Sequence, residues 1–393
     1  MESQKTFQFL VPTKILFGNG QLRNLHQCKL PGSKALIVTT AGKSVRNNGY
    51  LDMVYEELEQ AGVEYALFDQ VESNPVTLNI KDGALAANSY QCDFIIGLGG
   101  GSAIDAAKAI ALCAVNRGGI WDYMSGVNGV PRTVEVDPLP VVAITTTAGT
   151  GSEVDSAFVV TNEQTNVKLG MYLPRLFPEI AVVDPELMCS VPPRFTAFQG
   201  FDALFHSTEG YISKKAHIMS DMVAEKAIEA IGKNLAAAVQ NGSNIKAREQ
   251  VAFGSMLSGM QLAIGSLTSA HALEHAMSAY HQNLPHGAGL VLISVAYYQQ
   301  FTDVPELRER FIRMAQLMGD KEASNPGNFI KILERLIYEC GLGDLTMTEY
   351  GILADEFELF TENAFETGES KFHNDYKWLE KSDCIQVFQE SFK

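Results

Sequence analysis

Asp202 and His206 stand four residues apart in QGFDALFHSTEGY, a stretch with helical patterning, so both side chains project from one helix face and can converge on one ion. His271 and His275 repeat that spacing in SAHALEHAMSAY, and His286 follows in the loop-like NLPHGAG. Asp202, His206, His271 and His286 together read as one metal site drawn from three separate stretches. One carboxylate with three imidazoles is a ligand set of intermediate softness, suited to Fe(II) or Zn(II) and poorly suited to Ca(II) or Mg(II). Such a site points to redox chemistry on a small oxygenated carbon compound. The other histidines read as structural, His217 and His281 in the core and His26 and His373 at the surface.

A competing reading takes His271, Glu274 and His275 as the H-x-x-E-H of an inverted zinc peptidase, with Glu274 as general base. It leaves Asp202, His206 and two glycine-containing loops without a role. In the first loop, Gly97-Leu98-Gly99-Gly100-Gly101-Ser102 follows the apolar run DFII and precedes the helix-like AIDAAKAIALCAV. Glycines at a strand-to-helix turn let backbone N–H groups approach a pyrophosphate, whose charge the helix dipole favours. Gly99, Gly100, Gly101, Ser102 and Asp105 are therefore candidate dinucleotide residues, and Ser102 with Asp105 also reads as a capping pair. The second loop, from Thr145 to Ser152, ends another apolar strand and offers hydroxyls to phosphate or ribose. The first strand-to-helix turn, Thr39 to Arg46, has no carboxylate for a ribose 2′-hydroxyl but has Lys43, Ser44 and Arg46, which favours NADP(H) over NAD(H).

These residues need two kinds of scaffold. Before residue 190, KALIVTT, VEYALFD, DFIIGLGGG, LPVVAITTT and IAVVDP alternate with helical stretches, the rhythm of parallel strands with helical crossovers covered on both faces. FQFLVP and KILFG at the start read as an antiparallel pair. After VPPRF at 191–195 the pattern becomes helical: Met219, Met222, Val223, Ile228, Ile231, Leu235 and Val239 recur near the helical period, as do Leu307, Phe311, Ile312, Met314 and Leu317. The expectation is an α/β Rossmann-like domain over 1–190 and an all-helical metal-binding domain over 191–393, with a ligand in the cleft between them.

Composition excludes several classes. The 393 residues are 46% hydrophobic and 19% charged, as in a folded globular protein, and 30 Lys and Arg against 46 Asp and Glu give a formal charge of -16. Without a basic face, nucleic acid is not an expected partner. The start lacks a secretory pattern and no apolar run reaches the ~18 residues that span a bilayer, so the expectation is a cytoplasmic protein without membrane attachment. Six scattered cysteines read as reduced thiols.

Taken together, VPTKILFGNG, KALIVTT, SNP at 73–75, GLGGGSAIDAAKAIA, ITTTAGTGSEV, DPELMCSVPP, FDALFHSTEGYIS and HALEHAMSAYHQNLPHG occur in an order that strongly resembles the iron-containing (group III) alcohol dehydrogenase family, including lactaldehyde reductases and NADPH-dependent butanol dehydrogenases. The resemblance implies a dehydroquinate synthase-like architecture and hydride transfer between NAD(P)H and a small aldehyde or alcohol. It makes Asp202, His206, His271 and His286 ligands of Fe(2+), with Zn(2+) or another divalent ion also used by members, and His275 a neighbouring imidazole that carries a proton. By the same resemblance, Asn74, Gly100, Gly101, Ser102, Thr146, Thr147, Thr150 and Lys168 are dinucleotide contacts. Thr40 stands where NAD-selective relatives often place Asp, in a turn with Ser44. A homodimer or larger homo-oligomer is the family's usual assembly. The architecture is also that of dehydroquinate synthases and glycerol dehydrogenases, so a lyase or polyol oxidoreductase is the alternative. The scarcity of Lys and Arg beside the ligand motifs weighs against a polyanionic substrate.

Overall fold

The computed structural model describes residues 6–124, 130–165 and 167–392. The chain forms two compact units. One is Val11–Thr147 with Gly151–Ser190; the other is Val191–Lys393 with Ala148–Thr150 and the start of the chain up to Leu10, so the division is not a single cut.

The first unit is built on β1 (Lys14–Phe17), β2 (Lys34–Thr40), β3 (Glu64–Val71), β4 (Phe94–Gly99), β5 (Val141–Thr145) and β8 (Ile180–Val183). They pair in the order β1-β8-β5-β4-β2-β3, parallel throughout. Alternate residues of one strand enter opposite cores. Leu36, Val38 and Ile95 pack on one face with Ala107, Ile110 and Phe158, whereas Ala35, Ile37 and Ile96 pack on the other with Leu25, Leu51 and Val54. That two-sided burial is why the strands read as unbroken apolar runs. The crossovers are α1 (Ser44–Asn47) with α2 (Tyr50–Gln60), α3 (Thr77–Ser89) and α4 (Gly101–Val115). β6 (Ala157–Asn162) and β7 (Val167–Tyr172) add a separate antiparallel pair. The expected antiparallel opening pair is not formed: residues 6–13 carry no strand, and β1 is a parallel edge against β8.

The second unit contains α5 (Pro193–Ile212), α6 (Ile218–Gln240), α7 (Ile245–Ile264), α8 (Ser269–Tyr280), α9 (His286–Gln299), α10 (Arg308–Leu317), α11 (Gly327–Glu339), α12 (Phe357–Phe372) and α13 (Lys381–Ser391), with no strand among its described residues after 191. α5 is buried along nearly its whole length, which marks it as the central helix. The helical periodicity of residues 219–239 falls on α6 with one exception: Met222 is 59% exposed while Val223, Ile228, Ile231 and Leu235 are buried. No single described helix is long and apolar enough to cross a membrane.

Candidate metal and active site

Three helices of the second unit supply the metal constellation. α5 carries Asp202 and His206 one turn apart, α8 carries His271, and α9 begins with His286. Two glycines after His286 let α9 start close to its neighbours. A Cβ on Gly287 would lie 2.0 Å from the Phe198 carbonyl oxygen of α5, and one on Gly289 would lie 2.8 Å from Cγ of Glu274 on α8.

The result is convergence on one oxygen. Nε2 of His206, His271 and His286 lie 3.7, 3.8 and 3.5 Å from Asp202 Oδ1. These spans are too long for hydrogen bonds. Two ligand atoms each about 2.1 Å from an ion, at a tetrahedral angle, are ~3.4 Å apart, so the spans suit donors sharing one cation. Asp202 Oδ1 and His271 Nε2 are buried and have no hydrogen-bond partner among the described residues. Asp202, His206 and His271 are at most 5% exposed, and His286 is half-buried.

Two carboxylates orient the rings from behind. His271 Nδ1 lies 2.5 Å from Glu209 Oε1, and His286 Nδ1 is bonded to Glu274 Oε2. With each Nδ1–H donated to a carboxylate, the Nε2 lone pair faces the shared point. Glu209 and Glu274 are fully buried. With Asp202 they place three buried acids around the site. Burial lowers the His206 imidazole to about 4, against the attraction of Asp202. Burial also acts to lower His271, but Glu209 and Asp202 prevail and raise it to about 9. At Asp202 burial opposes ionisation, yet His206, His286 and His271 hold the carboxyl well below its usual range. The residues present fit a divalent first-row ion.

His275 lies one turn beyond His271, its ring centroid 6.2 Å from that of His271 and 5.3 Å from that of His286. The peptidase reading fails here, because Glu274 is committed to His286 and cannot serve as an exposed base. The remaining histidines stand apart. His26 pairs with Glu57 at 2.7 Å, His281 with Glu356 at 3.0 Å, His217 stacks on Phe7 at 4.4 Å, and His373 is exposed beside Trp378.

In the first unit, the glycine turn joins β4 to α4. Gly99 has φ +148°, a conformation rare for other residues, and a Cβ on Gly100 would come 2.9 Å from Thr147 Oγ1. Thr146 N–H donates to the Gly99 carbonyl at 2.9 Å, so the two loops are neighbours. Helix α4 starts at Gly101 with Gly100 as N-cap, and its first turn carries no acid. The expected Ser102–Asp105 capping pair does not form. Ser102 Oγ donates to the Ser73 carbonyl next to Asn74, while Asp105 accepts from Ser152 Oγ and from Val159 N–H. Thr40 ends β2 and Ser44 opens α1; Arg46 pairs with Asp69 at 2.6 Å. Lys168 lies on β7, buried and in register with Thr161, and Thr150 clusters with the helical unit.

A carboxylate and three imidazoles gathered in the helical unit, and a glycine turn between strand and helix in the parallel-sheet unit, are the features of a metal- and dinucleotide-using class of oxidoreductase. The chain belongs to the iron-containing alcohol dehydrogenase family: that family matches residues 12–185, and its Fe-containing C-terminal domain matches residues 196–392. It is 35% identical to a 1,3-propanediol dehydrogenase of Klebsiella pneumoniae over 99% of this chain and 100% of that one. It is 33% identical to an NAD-dependent methanol dehydrogenase of Bacillus methanolicus, covering 91% and 93% of the two chains. Among solved structures, an archaeal halo-thermophilic alcohol dehydrogenase from a Red Sea brine pool superposes with a TM-score of 0.94 at 31% identity, covering 100% of both chains. The chain is thus an alcohol dehydrogenase/aldehyde reductase of an iron- and NAD(P)-using family, and the lyase and peptidase readings are not favoured.

Proposed function

We propose that the enzyme interconverts short aldehydes and primary alcohols with NADP(H), at a site where Asp202, His206, His271 and His286 hold Fe(II). The observation that carries this reading is the placement of three imidazole Nε2 atoms 3.5–3.8 Å from one buried, unpartnered carboxylate oxygen. When bound, a divalent ion supplies Lewis acidity toward the carbonyl oxygen and the dinucleotide supplies the hydride. The chain's own residues do the rest. Glu209 and Glu274 keep the Nε2 lone pairs of His271 and His286 turned toward the shared point. His275 delivers a proton to the nascent alcohol oxygen and takes it back in the oxidative direction.

For the dinucleotide, Gly99, Gly100, Gly101 and Ser102 present the α4 N-terminus to the pyrophosphate, and Asn74, Thr146, Thr147, Thr150 and Lys168 supply further contacts. The preference for NADP(H) rests on Thr40 and Ser44, which offer hydroxyls and no negative charge. Asp69, the nearby acid of β3, is already paired with Arg46. The test is NADPH consumption over a panel of short aldehydes, using protein whose bound metal has been measured. Turnover that tracks metal content and vanishes in His271→Ala supports the proposal, and full metal occupancy or undiminished turnover in that variant would overturn it.

A further inference from the structure

Lys108 is fully buried on α4, just under two turns beyond the glycine turn. Its three N–H donors reach Ser152 Oγ at 3.0 Å, Asp155 Oδ1 at 2.7 Å and the Ala157 carbonyl at 2.7 Å. Ser152 donates onward to Asp105 Oδ1 at 2.5 Å, and Asp105 Oδ2 accepts the Val159 N–H at 2.9 Å. Asp155 Oδ1 also accepts the Ala157 N–H at 2.8 Å. Asp105 and Lys108 are three residues apart and share one helix face. Helix α4 is therefore fastened twice to the segment 152–159 that follows the threonine loop. At the near end of that loop, Thr146 bonds Gly99 and Thr147 packs on Gly100.

Neither Asp105 nor Lys108 has chemistry left for a ligand. The ammonium has spent its donors and meets no solvent, and both carboxylate oxygens of Asp105 have partners inside the chain. Negative charge is also a poor neighbour for a pyrophosphate. A buried lysine among carboxylates is no cheaper than an apolar core, so stability alone does not account for it. The brace does determine where the glycine turn lies relative to Thr146 and Thr147.

We propose that Lys108, acting with Asp105, Ser152 and Asp155, is a positioning residue that holds the Gly99–Ser102 turn and Thr146–Thr147 in the mutual register a dinucleotide pyrophosphate requires. This rests on the reading of those loops as the dinucleotide cradle, and it reassigns Asp105 from cofactor contact to brace.

The test compares three variants for NADPH and NADH dissociation constants, bound metal, and kcat at saturating coenzyme. Lys108→Met with Asp155→Asn removes both members of the ion pair and leaves Asp105 bonded only to Ser152 and Val159. Ser152→Ala removes only the hydroxyl shared by Lys108 and Asp105. Ser102→Asp places a charge in the turn itself. Loosening the brace should weaken coenzyme binding about tenfold in the double variant and less in Ser152→Ala, with metal content unchanged and kcat at saturation near that of the parent. If the double variant does not fold, Ser152→Ala decides alone. Parental affinity in a folded brace variant, with weakened binding in Ser102→Asp, overturns the brace. Parental affinity in Ser102→Asp as well shows that the cradle reading is what failed.

Discussion

Glu209→Gln is the sharpest perturbation of the metal site, because it preserves size and removes one charge. One oxygen of Glu209 lies 2.5 Å from His271 Nδ1, and the other accepts the Thr268 N–H at 3.1 Å and the Thr268 hydroxyl at 2.9 Å. A glutamine cannot serve both partners. With its oxygen toward His271, its NH2 faces two donors at Thr268. Reversed, its NH2 faces Nδ1 and drives the ring proton to Nε2, where the ligand lone pair belongs. Replacing a charge-assisted bond by a neutral one costs ~1 kcal/mol, and a stranded buried donor ~1–3 kcal/mol. Loss of an outer partner of this kind weakens metal binding by ~10–100-fold. That range equals ~1.4–2.7 kcal/mol, in keeping with the bonds lost. Competition between metal-free protein and a chromogenic chelator, with Zn(II) as a redox-inert probe, measures the affinity directly. A variant that folds and binds Zn(II) as tightly as the parent would refute the role given to Glu209.

Other outcomes follow from the same geometry. His275→Ala should retain its metal while turnover falls ~10²-fold, as metal analysis and steady-state rates on one preparation will show. Thr40→Asp should raise KM for NADPH and lower it for NADH, since a carboxylate repels a 2′-phosphate and bonds a ribose hydroxyl; an unchanged ratio of kcat/KM for the two coenzymes counts against the assigned turn. Asp375 concerns stability. Burial pushes its carboxyl up to about 7, despite bonds from Ser269 and Tyr297. A carboxyl raised above its unfolded value near ~3.9 contributes stability that is full below that value and is lost as pH rises through about 7. Asp375→Asn should therefore flatten the dependence of Tm on pH between ~4 and ~7, and parallel curves for variant and parent over that range would contradict this.

The metal constellation was legible because its residue types are scarce in cores and its spacings repeat the helical turn. The spacing of Asp202 with His206, and of His271 with His275, declares helices whose polar side chains share one face. Glu209 and Glu274 were not legible as orienting groups, since an acid in a helix ordinarily faces water. Glu209 gave one signal, an acid three residues after His206 in a stretch otherwise poor in charge. Glu274 between two histidines suggested a peptidase base instead, and only the approach of α9 through Gly287 and Gly289 shows which ring it serves. The sheet was readable from strands apolar on both faces. The β6–β7 pair was not, because two short runs around Glu163–Thr165 give little periodicity. KILF reads as half of an antiparallel pair because its partner β8 lies more than 160 residues away and leaves no local trace. Asp105 reads as part of a cap because Ser-x-x-Asp fits that pattern, but the N-cap is Gly100, two residues before Ser102, and the acid turns inward to Ser152.

The most direct test is the position and coordination of the ion, by X-ray anomalous diffraction at the iron edge and metal analysis of the parent and Asp202→Asn. The account predicts one peak per chain bonded to Asp202, His206, His271 and His286, and its weakening or loss in the variant. An iron peak on other residues, or undiminished occupancy in Asp202→Asn, would contradict it.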